Sequence, residues 1–408
     1  MEGIDRRARK VLPPPAGHPR FQLFDSIRAF AAISVLLVHV GIASGGFTPW
    51  YKQLFAHLDI GVPFFFLLSG FLLYRPMLAS RVIDLPRQAR SAYARNRFFR
   101  IFPAYWVALT VAAIVPGFYG AFTGNWWVYY GLLQQWPVYT REGACAGVGQ
   151  VDCGLPPVWS LSIEILFYLV LPFFAMAMAG LYRLLKGRLW VVTELSVLAV
   201  LAVISFFIQR RLPADDAGLW LFFSPLGRAY WFGLGMGLAV ISVRVQQRGS
   251  EPAAVRWIGS RANMWWILAA AIYVFTAIVI LSPFPSLAAP VIPQTPYLLS
   301  YGLFGLVAAL VLLPAVFGAD RGGFVRKLLA HPVLVWLGLI SYGIFLWHYP
   351  VMQGLVDLGA LDLFPSLQFP TLAALTLAIT IVPAALSFYL VERPLLAWSR
   401  RRGRARTD

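Results

Sequence analysis

Long apolar segments recur along almost the whole chain and alternate with short stretches rich in arginine, glycine and proline. A helix needs about 20 mostly apolar residues to cross the roughly 30 Å hydrocarbon core of a bilayer. Ten segments come close enough to this length to be predicted as spans: residues 24–42, 58–74, 101–116, 158–180, 190–208, 219–243, 264–283, 297–317, 332–355 and 369–391. The pattern therefore predicts an all-α polytopic membrane bundle of about ten transmembrane helices.

The composition agrees with a membrane protein and disfavours two other classes. Apolar residues make up 59% of the chain and charged residues only 12%, about half the charged fraction of a soluble domain. The net charge of +17 could suit a nucleic-acid-binding protein, but its cations would then cluster on one soluble face. Here the cations lie between apolar segments. Arginine far outnumbers lysine, which indicates a GC-rich genome such as that of an actinobacterium.

The distribution of basic residues predicts the orientation. Of the 34 lysines and arginines, 28 lie in residues 1–23, 75–100, 181–189, 244–263, 318–331 and 392–408. The opposite loops hold only Lys52, Arg141, Arg210 and Arg211. The positive-inside rule then places both termini and the basic loops in the cytoplasm. We expect the protein in the cell inner (plasma) membrane. We expect a disordered basic tail at 1–22, a membrane domain at 23–394 and a basic cytoplasmic tail at 395–408.

The longest loop on the outer side, 117–157, contains both cysteines, Cys145 and Cys153. An oxidising compartment favours a disulfide between them, and two cysteines alone make a poor metal site. The loop also contains "NWWVYYGLLQQW", which is too short to span a bilayer and is expected to lie at the interface or re-enter the membrane. The glycines of "GLGMGLAV", residues 233–240, predict a close contact between two helices.

One face of the first apolar run carries ionisable groups. Arg28 and His39 are eleven residues apart, which brings them within about 20° of the same helix face and separates them by about 16 Å along the axis. Asp25 belongs to the same stripe. Ionisable residues inside a span are costly and usually serve a function, and imidazole accepts a proton near neutral pH. This favours a catalytic or transport role for His39. The alternatives are that Arg28 reaches lipid phosphates and His39 bonds a neighbouring helix.

Further polar residues are predicted at a similar depth. The run 158–180 enters from the outside and has Ser160, Ser162 and Glu164 in its first turns, while 332–355 brings His348 outward. A carboxylate beside a histidine can fix its tautomer, so Glu164 is predicted to orient His39. Glu164 could instead cap its helix, and His348 could be an interfacial residue. Arg228 lies within the run 219–243 and requires a carboxylate, a carbonyl or a ligand as partner.

A basic cluster precedes the third run, in "RNRFFRIFPAYW". Arg97 and Arg100 lie three residues apart and can form a fork for phosphate on one side of a helix. Arg28 is predicted at the same cytoplasmic side. Together these three arginines indicate an anionic cytosolic ligand.

Several stretches together resemble acyltransferase family 3, a family of membrane O-acyltransferases. They are "FDSIRAFAAISVLLVHV", "DIGVPFFFLLSGFLLYRPM", "RNRFFRIFPAYW", "VWSLSIEILFYLVLP", "ISYGIFLWHYPV" and "LVERPL". The resemblance implies ten spans and transfer of a short acyl group, such as acetyl, from cytosolic acyl-coenzyme A to a hydroxyl of an envelope glycan or glycolipid. It also implies that Arg28 and His39 are essential and that Arg97 and Arg100 form the basic motif. The thioester supplies the driving force, so no metal or permanently bound cofactor is expected.

The chain departs from the family pattern at two positions. Glu164 is followed by Ile165 where the family often has a second acid, so any shared carboxylate role falls on Glu164 alone. Trp231 stands where an acid often follows the arginine that corresponds to Arg228. No further domain is expected after Glu392-Arg393-Pro394.

On this resemblance Arg28, Arg97 and Arg100 hold the phosphates of the donor, and His39 acts as a general base or carries the acyl group as a nucleophile. Competing predictions are a proton-coupled transporter or flippase using the same helix face, and a glycosyltransferase with a polyprenyl donor. The acceptor stays open, and the trehalose-mycolate acetyltransferases are one group that the chain resembles.

Overall fold

The computed structural model describes residues 19–45, 53–87, 89–115, 126–133, 155–187, 189–211, 216–281, 293–318 and 323–404. Every regular element within these residues is helical, and no strand occurs among them. The prediction of an all-α fold is therefore confirmed. Cys145 and Cys153 lie outside the described residues, so their pairing stays a prediction.

Thirteen helices of at least eight residues form the framework of the described part. They are α1 (Leu23–Ala43), α2 (Gly61–Val82), α3 (Arg90–Ile114), α4 (Trp159–Leu184), α5 (Trp190–Arg210), α6 (Ala229–Arg248), α7 (Ala253–Ser260), α8 (Ala262–Phe275), α9 (Gln294–Val316), α10 (Pro332–Leu339), α11 (Ser341–Asp357), α12 (Gln368–Leu386) and α13 (Arg393–Arg404). Two wider π-helical segments, Thr276–Ile280 and Ser387–Glu392, extend α8 and join α12 to α13.

The predicted spans agree with the observed helices at nine of ten positions. Within the described ranges, eight helical stretches are long and apolar enough to cross a bilayer, or up to nine if the bent pair α10 and α11 counts as one span. The exception is 219–243, where Asp216–Phe222 and α6 are separated by turns at 223–228. Pro225 in these turns lacks the backbone N–H that a continuing helix would use, and Arg244 and Gln246 make the end of α6 polar.

The centre of the bundle consists of α2 packed against α1 and α6. A Cβ atom at Gly235 would collide with the carbonyl oxygen of Leu67, and one at Gly70 would collide with that of Phe232. Only glycine lets α2 and α6 approach this closely. The helix contact predicted from "GLGMGLAV" is therefore confirmed.

A sharp bend directs the chain toward α1. The axes of α10 and α11 meet at 71° around Ile340. α10 packs across the start of α1, where Gly338 touches the backbone of Asp25. α11 then runs beside α1 and packs on α12, with Gly343 against Ala384. The bent segment α10–α11 thus contacts α1 at two positions along its length, α10 at its start and α11 farther along.

The outer helices expose apolar side chains around the bundle. Ile114, Phe173, Phe207, Ile267 and Val382, from α3, α4, α5, α8 and α12, are all exposed. Such a surface is stable against lipid tails and unfavourable in water. The protein is therefore a multi-pass membrane protein.

Two connecting regions also pack on the bundle. In the predicted interfacial stretch, the short helix Trp126–Tyr130 is held by the Tyr105 hydroxyl, which donates to the Tyr129 carbonyl at 2.5 Å. The predicted basic tail at 395–408 is helical as far as Arg404. Arg95 on α3 donates to the carbonyl of Ser399 at 2.9 Å and so fastens α13 to α3.

Candidate active site

A pair of histidines forms where α11 runs beside α1. His348 Nε2 lies 3.2 Å from His39 Nδ1, and the two ring centroids are 5.1 Å apart. His348 is fully buried, whereas His39 is partly exposed. The structure therefore brings together two histidines that the sequence predicted at a common depth on separate helices.

Hydrogen bonds to the helix backbone assign the protons of this pair. His39 Nδ1 lies 2.8 Å from the carbonyl oxygen of Val35, and His348 Nδ1 lies 3.1 Å from that of Ile344. Carbonyl oxygens only accept, so both Nδ1 atoms carry hydrogen in the neutral rings. The single Nδ1–H of His39 is then shared between the Val35 carbonyl and His348 Nε2, the carbonyl being the nearer acceptor. The lone pair of the His39 ring is left on Nε2, which has no hydrogen-bond partner among the described residues.

Arg28 lies on the same face of α1 as His39, at the end of the helix nearer the basic loops. Arg28 Nη1 donates to Asp25 Oδ1 at 3.1 Å, and Arg20 Nη2 lies 3.9 Å from Asp25 Oδ2. Asp25 thus orients the guanidinium of Arg28 and offsets part of its charge. The eleven-residue separation puts Arg28 and His39 about 16 Å apart along α1.

Arg97 and Arg100 approach this end from α3. The guanidinium of Arg97 lies 5.7 Å from the centre of the Tyr168 ring, and its buried Nε has no hydrogen-bond partner in the described structure. Arg100 Nη1 forms an ion pair with Glu392 Oε2 at 3.2 Å. Arg100 also interacts electrostatically with Arg28. The three arginines predicted to bind one anion therefore lie around one end of the bundle.

Glu164 belongs to this arginine cluster and has no hydrogen bond to His39. Its Oε1 accepts from the hydroxyl of Tyr168 at 2.5 Å and from the hydroxyl of Ser69. It also interacts electrostatically with Arg28. The physical reason is that α4 packs on α2, so its polar side chains meet Ser69 of that helix. Glu164 is thus placed to balance cations and to position Tyr168.

Ser160 and Arg228 have mainly structural contacts. Ser160 donates to the carbonyl of Pro157 at 3.3 Å, within the turn that opens α4. Arg228 is 4% exposed and donates to the hydroxyl of Tyr297 at 3.3 Å. Five aromatic rings lie within 4.9–5.8 Å of its guanidinium: Trp159, Phe222, Phe223, Trp231 and Tyr301. No carboxylate among the described residues lies within ion-pair distance of it, although Asp59 interacts with it electrostatically, and the aromatic faces add further attraction.

Sequence reasoning missed three members of the arginine cluster. Glu392 is 1% exposed and forms an ion pair with Arg100. It lies at the end of an apolar run, where an acidic residue is itself a signal of function, so the sequence did contain a clue to it. Tyr168 joins Arg97 to Glu164. Tyr342 lies 5.9 Å below the guanidinium of Arg100 and donates to the carbonyl of Ile101. The two tyrosines carry no such signal, because aromatic residues are common in every span.

Comparison with known proteins gives consistent matches. The family model described as an acyltransferase domain matches residues 22–389. The peptidoglycan O-acetyltransferase of Listeria monocytogenes is 26% identical over 97% of this chain and 57% of its own length. A putative peptidoglycan O-acetyltransferase of Bacillus subtilis is 25% identical over 91% of this chain and 54% of its own. An acyltransferase of Streptomyces mycarofaciens is 26% identical over 92% of both chains.

The chain spans about half the length of the two peptidoglycan O-acetyltransferases. No solved structure gives a significant match. The family match begins just before α1 and ends in the segment after α12, so it includes the histidine pair and the three arginines. The chain therefore belongs to acyltransferase family 3, the family of membrane O-acyltransferases.

Proposed function

We propose that this protein moves a short acyl group, such as acetyl, from cytosolic acyl-coenzyme A to a hydroxyl of an envelope glycan or glycolipid. The single observation that carries the proposal is the His39–His348 pair, which leaves His39 Nε2 free to accept a proton about 16 Å along α1 from the arginine cluster. The peptidoglycan O-acetyltransferases among the relatives support an envelope glycan as acceptor.

The arginine cluster supplies the donor site. Arg28 and Arg97 present guanidinium groups that suit phosphate oxygens, and such charge-assisted bonds are the strong ones. Glu164 and Glu392 stop the cluster from repelling itself while no donor is bound. The basic loops lie at this end of the bundle, which supports a cytosolic donor through the positive-inside rule.

The acyl arm of the donor extends from this cluster toward His39. His39 Nε2 takes the proton of the acceptor hydroxyl while the oxygen attacks the thioester carbonyl carbon. The carbon–sulfur bond then breaks, and the protonated imidazole returns its proton to the leaving sulfur. The products are an O-acyl ester and free coenzyme A, so atoms and charges balance. His348 holds the His39 ring by sharing its Nδ1–H with the Val35 carbonyl throughout.

A covalent route uses the same atom. His39 Nε2 would attack the thioester first and pass the acyl group to the acceptor afterwards. Radiolabelled donor incubated without acceptor, followed by a quench that preserves acyl-imidazole, distinguishes the two routes. Label on a peptide that contains His39 indicates the nucleophile, and its absence indicates the base.

Mass spectrometry of envelope glycans and lipids tests the proposal and identifies the acceptor. A deletion strain should lack one O-acyl species, and the wild-type gene should restore it. The His39→Gln gene, expressed to the same level in the membrane, should not restore it. An unchanged set of acylated species in the deletion strain, or full restoration by His39→Gln, would contradict acyl transfer.

A further inference from the structure

The end of α5 remote from the basic loops borders an open depression of about 530 Å³. Among the described residues, its lining consists of Phe207, Arg210, Arg211 and Gln294, from the end of α5 and the start of α9. Both arginines are exposed, and neither forms an ion pair with a described residue. The family match and the histidine pair assign no role to this feature.

The position of these cations is unusual for this chain. Loops on this face hold only four of the 34 lysines and arginines, and two of the four stand side by side at the depression. A cation at a helix C-terminus is favoured by the helix dipole, which accounts for a basic residue at the end of α5. It does not account for a concave site between two arginines and the amide of Gln294.

The floor beside the depression is fixed by buried hydrogen bonds. Gln209, next to Arg210 in the chain, is fully buried, and its Nε2 donates to the carbonyls of Phe222 and Gly227 at 3.0 and 2.9 Å. Its Oε1 accepts from the hydroxyl of Tyr297 at 2.6 Å, and that hydroxyl accepts from Arg228. This network fixes the end of α5 relative to the start of α9, so the helix backbone that carries Arg210, Arg211 and Gln294 is held in place beside the depression.

The apolar surface beside the depression indicates that the anion belongs to a lipid. Val200, Val203 and Phe207 on α5 are all exposed, which makes this side of the helix a lipid-facing surface. An occupant of the depression therefore has hydrocarbon beside α5 and a charged group between the arginines. Guanidinium groups bind phosphate oxygens through paired hydrogen bonds, and the Gln294 amide adds a neutral donor.

We propose that the depression lined by Arg210, Arg211, Gln294 and Phe207 binds the phosphate group of a lipid in the membrane leaflet opposite the basic loops. The binding itself does not require acyl transfer to occur. It places a phosphate-bearing lipid, either a lipid-linked glycan or a phospholipid, beside the bundle on that face.

Native mass spectrometry of the full-length protein in detergent tests the proposal with two probes that differ by one group. Polyprenyl phosphate should bind at least tenfold more tightly than the matching polyprenol, because only the phosphate engages the arginines. Arg210→Gln/Arg211→Gln should weaken binding of polyprenyl phosphate by tenfold or more. The control Arg244→Gln/Arg248→Gln, which removes the same charge at the far end of α6, should leave it unchanged.

Two outcomes would overturn the proposal: equal affinity for polyprenol and polyprenyl phosphate, or equal losses in the two double variants. Monodisperse elution and unchanged thermal unfolding establish that the variants are folded, and Gln294→Leu provides a second, uncharged change that should also weaken binding. Competition with phosphatidylglycerol identifies the source, since full displacement indicates phospholipid and none indicates a polyprenyl carrier. Loss of lipid binding with acyl transfer intact would separate this site from the proposed active site.

Discussion

At the residue scale, the proposed acyl transfer depends on the free lone pair of His39 Nε2. His39→Gln keeps a polar side chain of similar reach and removes the proton acceptor. A positioned general base contributes about 10²–10⁴-fold to a rate, so turnover should fall by at least that range. The measurement is transfer of radiolabel from acyl-coenzyme A to acceptor by purified protein in proteoliposomes. Donor affinity serves as the control and should not change; turnover near that of wild type would return His39 to a packing role.

On the proposed mechanism His348 is a positioning residue, so its replacement should lower the rate less than replacement of His39. His348→Leu removes one of the two acceptors of the His39 Nδ1–H and leaves the other, the Val35 carbonyl. One hydrogen bond contributes about 0.5–1.5 kcal/mol, which predicts a rate about 2- to 12-fold lower. The fall should appear in kcat with little change in KM for the donor. His348→Gln, which offers another acceptor, should recover part of the rate; equal rates in both variants would rule out this positioning role.

Arg97 and Arg100 should respond differently to replacement because their partners differ. Arg97→Ala removes a guanidinium that stacks on Tyr168 and pairs with no described carboxylate, so it should weaken donor binding about tenfold or more without loss of fold. Arg97→Lys should recover only part of the affinity, since lysine lacks the planar fork. Donor affinity is measured by equilibrium binding to the purified variants. Unchanged affinity would mean that Arg97 does not bind the donor and serves only to orient the protein in the membrane.

Arg100→Ala should instead unfold more easily, because it leaves the buried Glu392 without its cation. Breaking a buried ion pair costs on the order of 3 kcal/mol, and Glu392 is 1% exposed. Adding Glu392→Gln should restore most of the thermal stability and none of the donor affinity. A double variant as unstable as Arg100→Ala would show that the ion pair is not the cause.

At the scale of elements, the contact of α2 with α6 fixes the centre of the bundle. Gly235→Val places side-chain atoms against the Leu67 backbone, which cannot move away within a helix. Overpacking of this kind costs about 1–3 kcal/mol. Thermal unfolding in detergent should show a lower midpoint for Gly235→Val, while Gly237→Ala on the same helix should be neutral. A Cβ at Gly237 meets only the end of the Leu195 side chain at 3.7 Å. Equal midpoints would mean that α2 and α6 separate at little cost.

At the scale of the whole molecule, orientation follows from the uneven distribution of basic residues. In a background of Cys145→Ser/Cys153→Ser, a cysteine at Ser91 should react with a permeant thiol reagent and resist an impermeant one in whole cells. A cysteine at Ser366 should react with both. Both positions are exposed. The reverse pattern would invert the predicted topology and move the arginine cluster away from cytosolic donor.

The hydrophobic pattern alone predicted most of the architecture. It located nine of the ten predicted spans and placed Arg28 and His39 on one face of α1, because span length and helix period are local properties of sequence. The prediction failed at 219–243, where the apolar run continues through a turn at Pro225. Resemblance to a family, rather than periodicity, indicated the chemistry.

Tertiary structure alone decided which polar groups meet. The sequence suggested Glu164 as the partner of His39, whereas the structure gives that place to His348 and joins Glu164 to Ser69 and Tyr168. Arg100 found its carboxylate in Glu392, nearly three hundred residues away along the chain. Helix period fixes the face on which a side chain lies, but the rotation and depth of one helix against another depend on distant packing contacts. For His348, the rotation and depth of α11 are set by the 71° bend between α10 and α11 and by the glycine contacts of α10 with α1 and of α11 with α12. These contacts join distant parts of the chain, so no local sequence pattern predicts them.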